Sequence, residues 1–383
     1  MFPLAASTIR QKAEHEMKPF AVNYTPLMTS FLVNEAGVFR DDPLVLLDVG
    51  ARGGVGREWQ VFGDQLLAYC FEPNEEECRR LATAAPANLK YIPRALGRQR
   101  GIRTLYRTAH ADSAGLFRTD MKYLGRFLNR DNAVTVGEST VEVSALDDVL
   151  AEFNVPTVDF IKLDVEGAEL DVLAGGQRCI EKTSLLGLLS EIRFHAEING
   201  SPTFAELDLF VRKFGFSLFD LEFHYQSRLA MPYPGLQHYH RANGEAFFAY
   251  TSRGQLQDGN ALYLRDLLLP LAAPRLGQVS ATSVLKMCAV MEIFSLNDCA
   301  AELLLASRQR VDGLTDTAHL LDLLASGICG AVTSFENYTQ RFRRHPTPTV
   351  ANLNPAAMPA QQPVTLAERF KRIFSRGPLH RTD

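Results

Sequence analysis

The chain has 383 residues, 46% hydrophobic and 22% charged, with a formal net charge of −4. That is the make-up of an ordinary globular protein with a sizeable core, and its slight acidity excludes a general electrostatic pull toward nucleic acid. Six cysteines, at 70, 78, 179, 288, 299 and 329, form no C-x-x-C pair; they read as small core residues of a reducing compartment and not as a zinc site.

Residues 1–40 read as a helical or irregular extension. The opening "MFPLAASTIRQKAEHEMKPF" has no apolar run of signal-peptide length, and no later stretch nears the ~20 apolar residues of a spanning helix. The expected location is therefore cytoplasmic. "LVLLDVG" (44–50) and "LLAYCFEP" (66–73) are strands of the kind buried on both faces, and "NLKYIPRALG" (88–97) is a third candidate. "NEEECRRLATAAP" between the last two carries the apolar stripe of a helix. In "SALDDVL", Ser144 and Asp147 resemble a capping box, so Asp147 is set aside as structural. "VDFIKLDVEGAE" (158–169) repeats the first pattern: an apolar strand, a carboxylate at its end, a turn into a helix. "SLLGLLSEIRF" is the next strand and "TFAELDLFVRKFG" an amphipathic helix stopped by Gly215. "FSLFDLEFH" and "EAFFAYTSR" close the region as an antiparallel pair. Strands alternating with helices imply a parallel sheet, so the expectation is a seven-stranded doubly wound α/β domain over 41–253. Beyond it come an all-helical appendage (254–345), a proline-rich linker (346–364) and a basic amphipathic tail helix (365–383). The tail's Leu366, Phe370, Ile373 and Phe374 share one helical stripe among four cations, so it can lie on an anionic membrane or pack against protein.

"VLLDVGARGGVGREW" (45–59) places four glycines directly after a strand. Such a turn suits a nucleotide-like ligand that touches the main chain, or is merely tight. It is not the dinucleotide fingerprint, because the third glycine position falls on Trp59. Glu72, at the end of the second strand and ~20 residues after the turn, is placed to accept hydrogen bonds from both hydroxyls of a ribose. Its alternative role is that of an acid at a helix N-terminus.

"DVGARGGVG", "FEPNEEECRRL", "RALG", "SALDDVL" and "VDFIKLDVEGAELDVLAGG" resemble, in order, the motifs of the FkbM-type methyltransferases, from about residue 44 to 252. The resemblance implies an S-adenosylmethionine-dependent O-methyltransferase of the seven-stranded Rossmann-like class. It implies that Asp48, Gly50, Ala51 and Gly54 wall the methionine part of the cofactor. Glu72 would hold the ribose, with Pro73 and Asn74 beside the adenine; Asp112 and Ser113 are weaker cofactor candidates, since Ala114 replaces a serine of the family pattern. The acceptor it implies is a hydroxyl of a sugar, glycan precursor or related small molecule.

Methyl transfer needs the acceptor oxygen aligned and its proton removed. Asp164 and Glu191 end neighbouring strands and should face one crevice, with His195 four residues further on. These three are the candidate catalytic residues, and together they could bridge a divalent metal. A different class of reading is a non-catalytic nucleoside-binding or scaffold protein whose helical region binds a partner. A nicotinamide oxidoreductase is disfavoured by Trp59. Peripheral membrane contact and a homo-oligomer are compatible with either reading.

Overall fold

The computed structural model describes residues 21–110, 113–232, 238–240, 246–248, 254–269 and 276–344. Asp112, the proline-rich linker and the basic tail helix lie outside them. In chain order the strands are β1 (Leu44–Val49), β2 (Leu66–Phe71), β3 (Leu89–Ile92), β4 (Ala95–Gly97), β5 (Gly101–Thr108) and β6 (Thr135–Ala145). There follow β7 (Phe160–Leu163), β8 (Gly187–Arg193), β9 (Ser217–Gln226), β10 (His238–His240), β11 (Ala246–Phe248) and β12 (Gln255–Leu264). Seven of them form the main sheet in the order β3-β2-β1-β7-β8-β12-β9. β1 lies parallel to β2 and β7, and β7 parallel to β8; β12 alone runs antiparallel, between β8 and β9. The strand order reverses at β1, so a crevice opens beyond the carboxyl ends of β1 and β7.

Three expectations about strands need correction. "EAFFAYTSR" does not close the sheet: β11 pairs with β10 in a separate ribbon, and the antiparallel strand is β12. The sheet therefore runs past residue 253 to Leu264. "ALYL", expected to open the helical region, belongs to β12 because its side chains alternate: Ala261 and Tyr263 enter one core, Leu262 and Leu264 the other. The third candidate strand also divides. Pro93 has no N–H for the ladder, so the chain leaves the main sheet after β3 and enters a side sheet ordered β4-β6-β5.

The two faces of the sheet are covered differently. Val45, Leu47 and Val49 face the helices Leu146–Glu152, Glu169–Gly175, Gln177–Glu181 and Phe204–Arg212. The last of these begins with a capping box of Thr203 and Glu206. Asp147 caps a different helix from the one expected: it accepts from the N–H groups of Arg178 and Cys179 at 2.9 and 3.0 Å. Leu44, Leu46, Ala68 and Phe160 on the other face share one core with the helices Leu27–Asn34, Ala281–Ile293, Asn297–Val311 and Thr317–Cys329. The C-terminal region is all-helical as expected, and its helices cover one face of the sheet and enclose part of the N-terminal segment.

The helix Ala281–Ile293 is buried along almost its whole length, so its two charges require partners. Lys286 Nζ donates to Asp42 at 2.7 Å and to Asp159 at 2.9 Å. Glu292 accepts from the N–H groups of Met28 and Thr29 and from the Thr29 hydroxyl at 3.0, 2.7 and 2.7 Å. It thereby caps the helix Leu27–Asn34, whose own N-cap, Pro26, offers no side-chain bond.

Candidate active site

The glycine turn at the end of β1 is tight because β7 runs close to it. Gly50 has φ +84°, and a Cβ there would lie 1.9 Å from the Asp164 carbonyl oxygen. No other residue fits. Gly53 and Gly54 also have positive φ, at +82° and +94°, which leaves a stretch of main chain without side chains beside the crevice. The N–H groups of Gly50 and Ala51 both donate to the carbonyl of Phe71, tying the turn to the end of β2. Trp59 stands where a dinucleotide fingerprint has its third glycine, but no long helix packs there. The chain instead makes a 3-10 segment, Arg57–Gln65, and Trp59 fills the core between Phe160 and Phe294, with ring centroids 5.0 and 6.2 Å away.

Glu72 is 5% exposed at the end of β2. Its Oε1 accepts from the Asn74 N–H at 2.7 Å, and the Asn74 side chain in turn caps the helix Glu75–Ala84 by accepting from Glu77 N–H. Pro73 is half-buried and Asn74 exposed at the rim. Ser113 lies in a loop anchored to the side sheet through a bridge between Tyr106 and Gly115, and its N–H donates to the His110 carbonyl.

Lys162, opposite Asp48 across the β1–β7 pair, joins the elements of the crevice. Its Nζ is 3.2 Å from Asp48 Oδ1 and 3.5 Å from Asp164 Oδ2, and it donates to the Gly50 carbonyl at 3.0 Å. Burial works against the charge of Lys162, but Asp48 and Asp164 outweigh it and hold the ammonium above the usual lysine range. Burial pushes the Asp48 carboxyl up, against the pull of Lys162. The side chain of Asp164 is 51% exposed, so its carboxylate reaches the open crevice.

One carboxylate oxygen from each of Asp164, Glu166 and Glu191 lies within 4.8 Å of the others. The expected trio with His195 is not formed. His195 Nε2 lies 2.9 Å from the Leu256 carbonyl oxygen and 2.8 Å from Gln255 Nε2, held by the start of β12. Arg193 occupies the place of a cation among the acids. Its guanidinium meets Glu166 at 2.6 Å, Glu191 at 2.9 Å and Glu197 at 3.3 Å. Arg193 already compensates the charge of Glu166 and Glu191, so this cluster gives a divalent ion no specific support beyond the proximity of its acids. Burial outweighs Arg193 at Glu166 and Glu197, pushing each up to about 8, and lifts Glu191 well above its usual value.

Lys162 and Arg193 were not among the residues singled out from the sequence. The available signal was a cation inside an otherwise apolar strand, "FIKLD" and "SEIRF", since such a charge cannot be buried without an acid beside it.

A seven-stranded sheet of this order, one antiparallel strand, a glycine turn at the switch point and an acid following β2 define a Rossmann-like doubly wound α/β fold. Residues 48–218 match the family model described as the methyltransferase FkbM domain. Over 158 residues the chain is 27% identical to the 2-O-methyltransferase NoeI of Sinorhizobium fredii (strain NBRC 101917 / NGR234), covering 38% of this chain and 63% of that protein. The chain thus spans less than two thirds of that relative. It also resembles the crystal structure of the SAM dependent methyltransferase from Agrobacterium tumefaciens at 13% identity and a TM-score of 0.27, covering 63% of this chain and 61% of that one. That likeness is too slight to bear on the fold.

The residues at the ends of β1 and β2 fit S-adenosylmethionine. The main chain at Gly50, Gly53 and Gly54 can be approached closely, and Glu72 offers a buried carboxylate one strand away.

Proposed function

We propose that the chain transfers a methyl group from S-adenosylmethionine to a hydroxyl oxygen, of a sugar, a glycan precursor or a related small molecule. The observation that carries this reading is the meeting, at one switch point, of the glycine turn, Glu72 and the half-exposed Asp164. An oxygen acceptor is supported by the name of the matched relative, a 2-O-methyltransferase, and a sugar by the resemblance of the motifs.

Bound at this crevice, S-adenosylmethionine supplies an electrophilic methyl carbon. Glu72 would hold the ribose hydroxyls, and the main chain from Gly50 to Gly54 would hold the amino-acid end. Asp164 Oδ2 accepts the proton that the acceptor hydroxyl loses, and Lys162, 3.5 Å away, fixes where that carboxylate stands. Arg193 keeps Glu166 and Glu191 as one wall of the acceptor side.

A methyl-transfer assay with labelled S-adenosylmethionine and a panel of hydroxyl-bearing sugars and oligosaccharides tests this. Label should enter at least one acceptor, and Asp164→Asn should lower turnover about 10²-fold while changing affinity for S-adenosylhomocysteine much less. Transfer to nitrogen or carbon acceptors alone would contradict the reading. Equal losses of turnover and affinity would make Asp164 a binding residue.

A further inference from the structure

The β1 turn and Asp164 come from strands more than a hundred residues apart in the chain, and the backbone already brings them together: the Asp164 N–H donates to the Val49 carbonyl at 3.0 Å, and the Asp164 carbonyl oxygen lies 1.9 Å from where a Cβ on Gly50 would stand. The Lys162 side chain adds a second tie, between the Gly50 carbonyl and the Asp164 carboxylate. Lys162 Nζ donates to the Gly50 carbonyl at 3.0 Å and lies 3.5 Å from Asp164 Oδ2, while 3.2 Å from Asp48 Oδ1.

We infer that Lys162 is a positioning residue that locks the β1 turn and the Asp164 carboxylate into one geometry; the inference rests on the reading of this crevice as the methyl-donor site. Two of its contacts are with that site itself, a turn carbonyl and a half-exposed carboxylate. The third, with Asp48, is of a different kind. Asp48 is 4% exposed in a strand buried on both faces, and an ammonium beside it is what any buried carboxylate requires. A purely structural account would give Lys162 that third task alone. The two accounts differ in what happens once Asp48 carries no charge.

The experiment therefore compares parent, Asp48→Asn, Lys162→Met and the Asp48→Asn/Lys162→Met pair, each measured by urea denaturation and by calorimetric titration with S-adenosylhomocysteine. Lys162→Met alone strands a buried carboxylate and can fail to fold, whereas the paired variant leaves Asp48 uncharged and supplies the decisive reading. The pair should unfold at a urea midpoint close to that of Asp48→Asn, yet bind S-adenosylhomocysteine about tenfold or more weakly than Asp48→Asn does, since a charge-assisted bond to the turn is gone. Lys162→Arg, which keeps the charge, should recover part of that affinity. If the pair binds as tightly as Asp48→Asn, Lys162 only neutralises Asp48 and the inference falls while the donor site stands. If the parent itself does not bind S-adenosylhomocysteine, the reading of the crevice falls and takes the inference with it.

Discussion

Arg193 meets three carboxylates at once, and a single guanidinium cannot keep them all ionised in a buried place. Burial dominates, so the acids of Glu166 and Glu197 titrate at about 8 instead of their usual 4.5. His224 works in the same direction. Burial opposes its charge, but Asp258 and Glu222 outweigh that and carry it from 6.5 up to about 10. A group whose folded-state value is raised stabilises fully below its unfolded value and loses that contribution as the pH climbs through the folded one. The thermal midpoint should therefore fall between pH 5 and pH 8, and Glu197→Gln should make the fall shallower. A midpoint that stays level or rises over that range would show that the acids remain ionised throughout. The same cluster marks what the sequence could and could not disclose. Glu72 and Asp164 are legible because each follows directly on an apolar strand; Glu191, expected to end its strand, lies inside β8, two residues before Arg193. Lys162 and Arg193 sit inside such runs, and the partner that explains Lys162, the Gly50 carbonyl, is 112 residues away in the chain.

At the level of elements, periodicity identifies the strands that are buried on both faces and the amphipathic helices. β1, β2, β7 and β8 and the helix Phe204–Arg212 stand within a few residues of where their patterns place them. β12 was hidden because its alternating "ALYL" runs into a leucine-rich stretch of helical look. The layer that covers the sheet was hidden for another reason: nothing in a helix such as Ala281–Ile293 says which surface it will bury. It buries β1, β7 and Trp59, so the sheet depends on it. A chain ending at residue 264 keeps all seven strands but uncovers Leu44, Leu46 and Phe160, side chains worth about 1.5–3 kcal/mol each when buried. Such a chain should be insoluble or unfold without cooperativity in urea. Soluble protein with a sharp transition would mean that the helices are separable from the sheet after all.

Across the whole molecule, the chain is mildly acidic, and none of its described helices is long and apolar enough to cross a membrane. Its two halves meet at the reversal of strand order, where β1 leads into the glycine turn, β2 into Glu72, and β7 and β8 carry the charged groups around Lys162 and Arg193. The central claim is that a methyl donor binds at this reversal with Glu72 on its ribose. Calorimetric titration of S-adenosylmethionine into the full-length protein and into Glu72→Ala tests it most directly. The account predicts one equivalent bound by the parent and an affinity loss of about 1–3 kcal/mol in the folded variant, since two hydroxyls lose a charged acceptor. Unchanged affinity in Glu72→Ala, with the variant folded as the parent is, would contradict it.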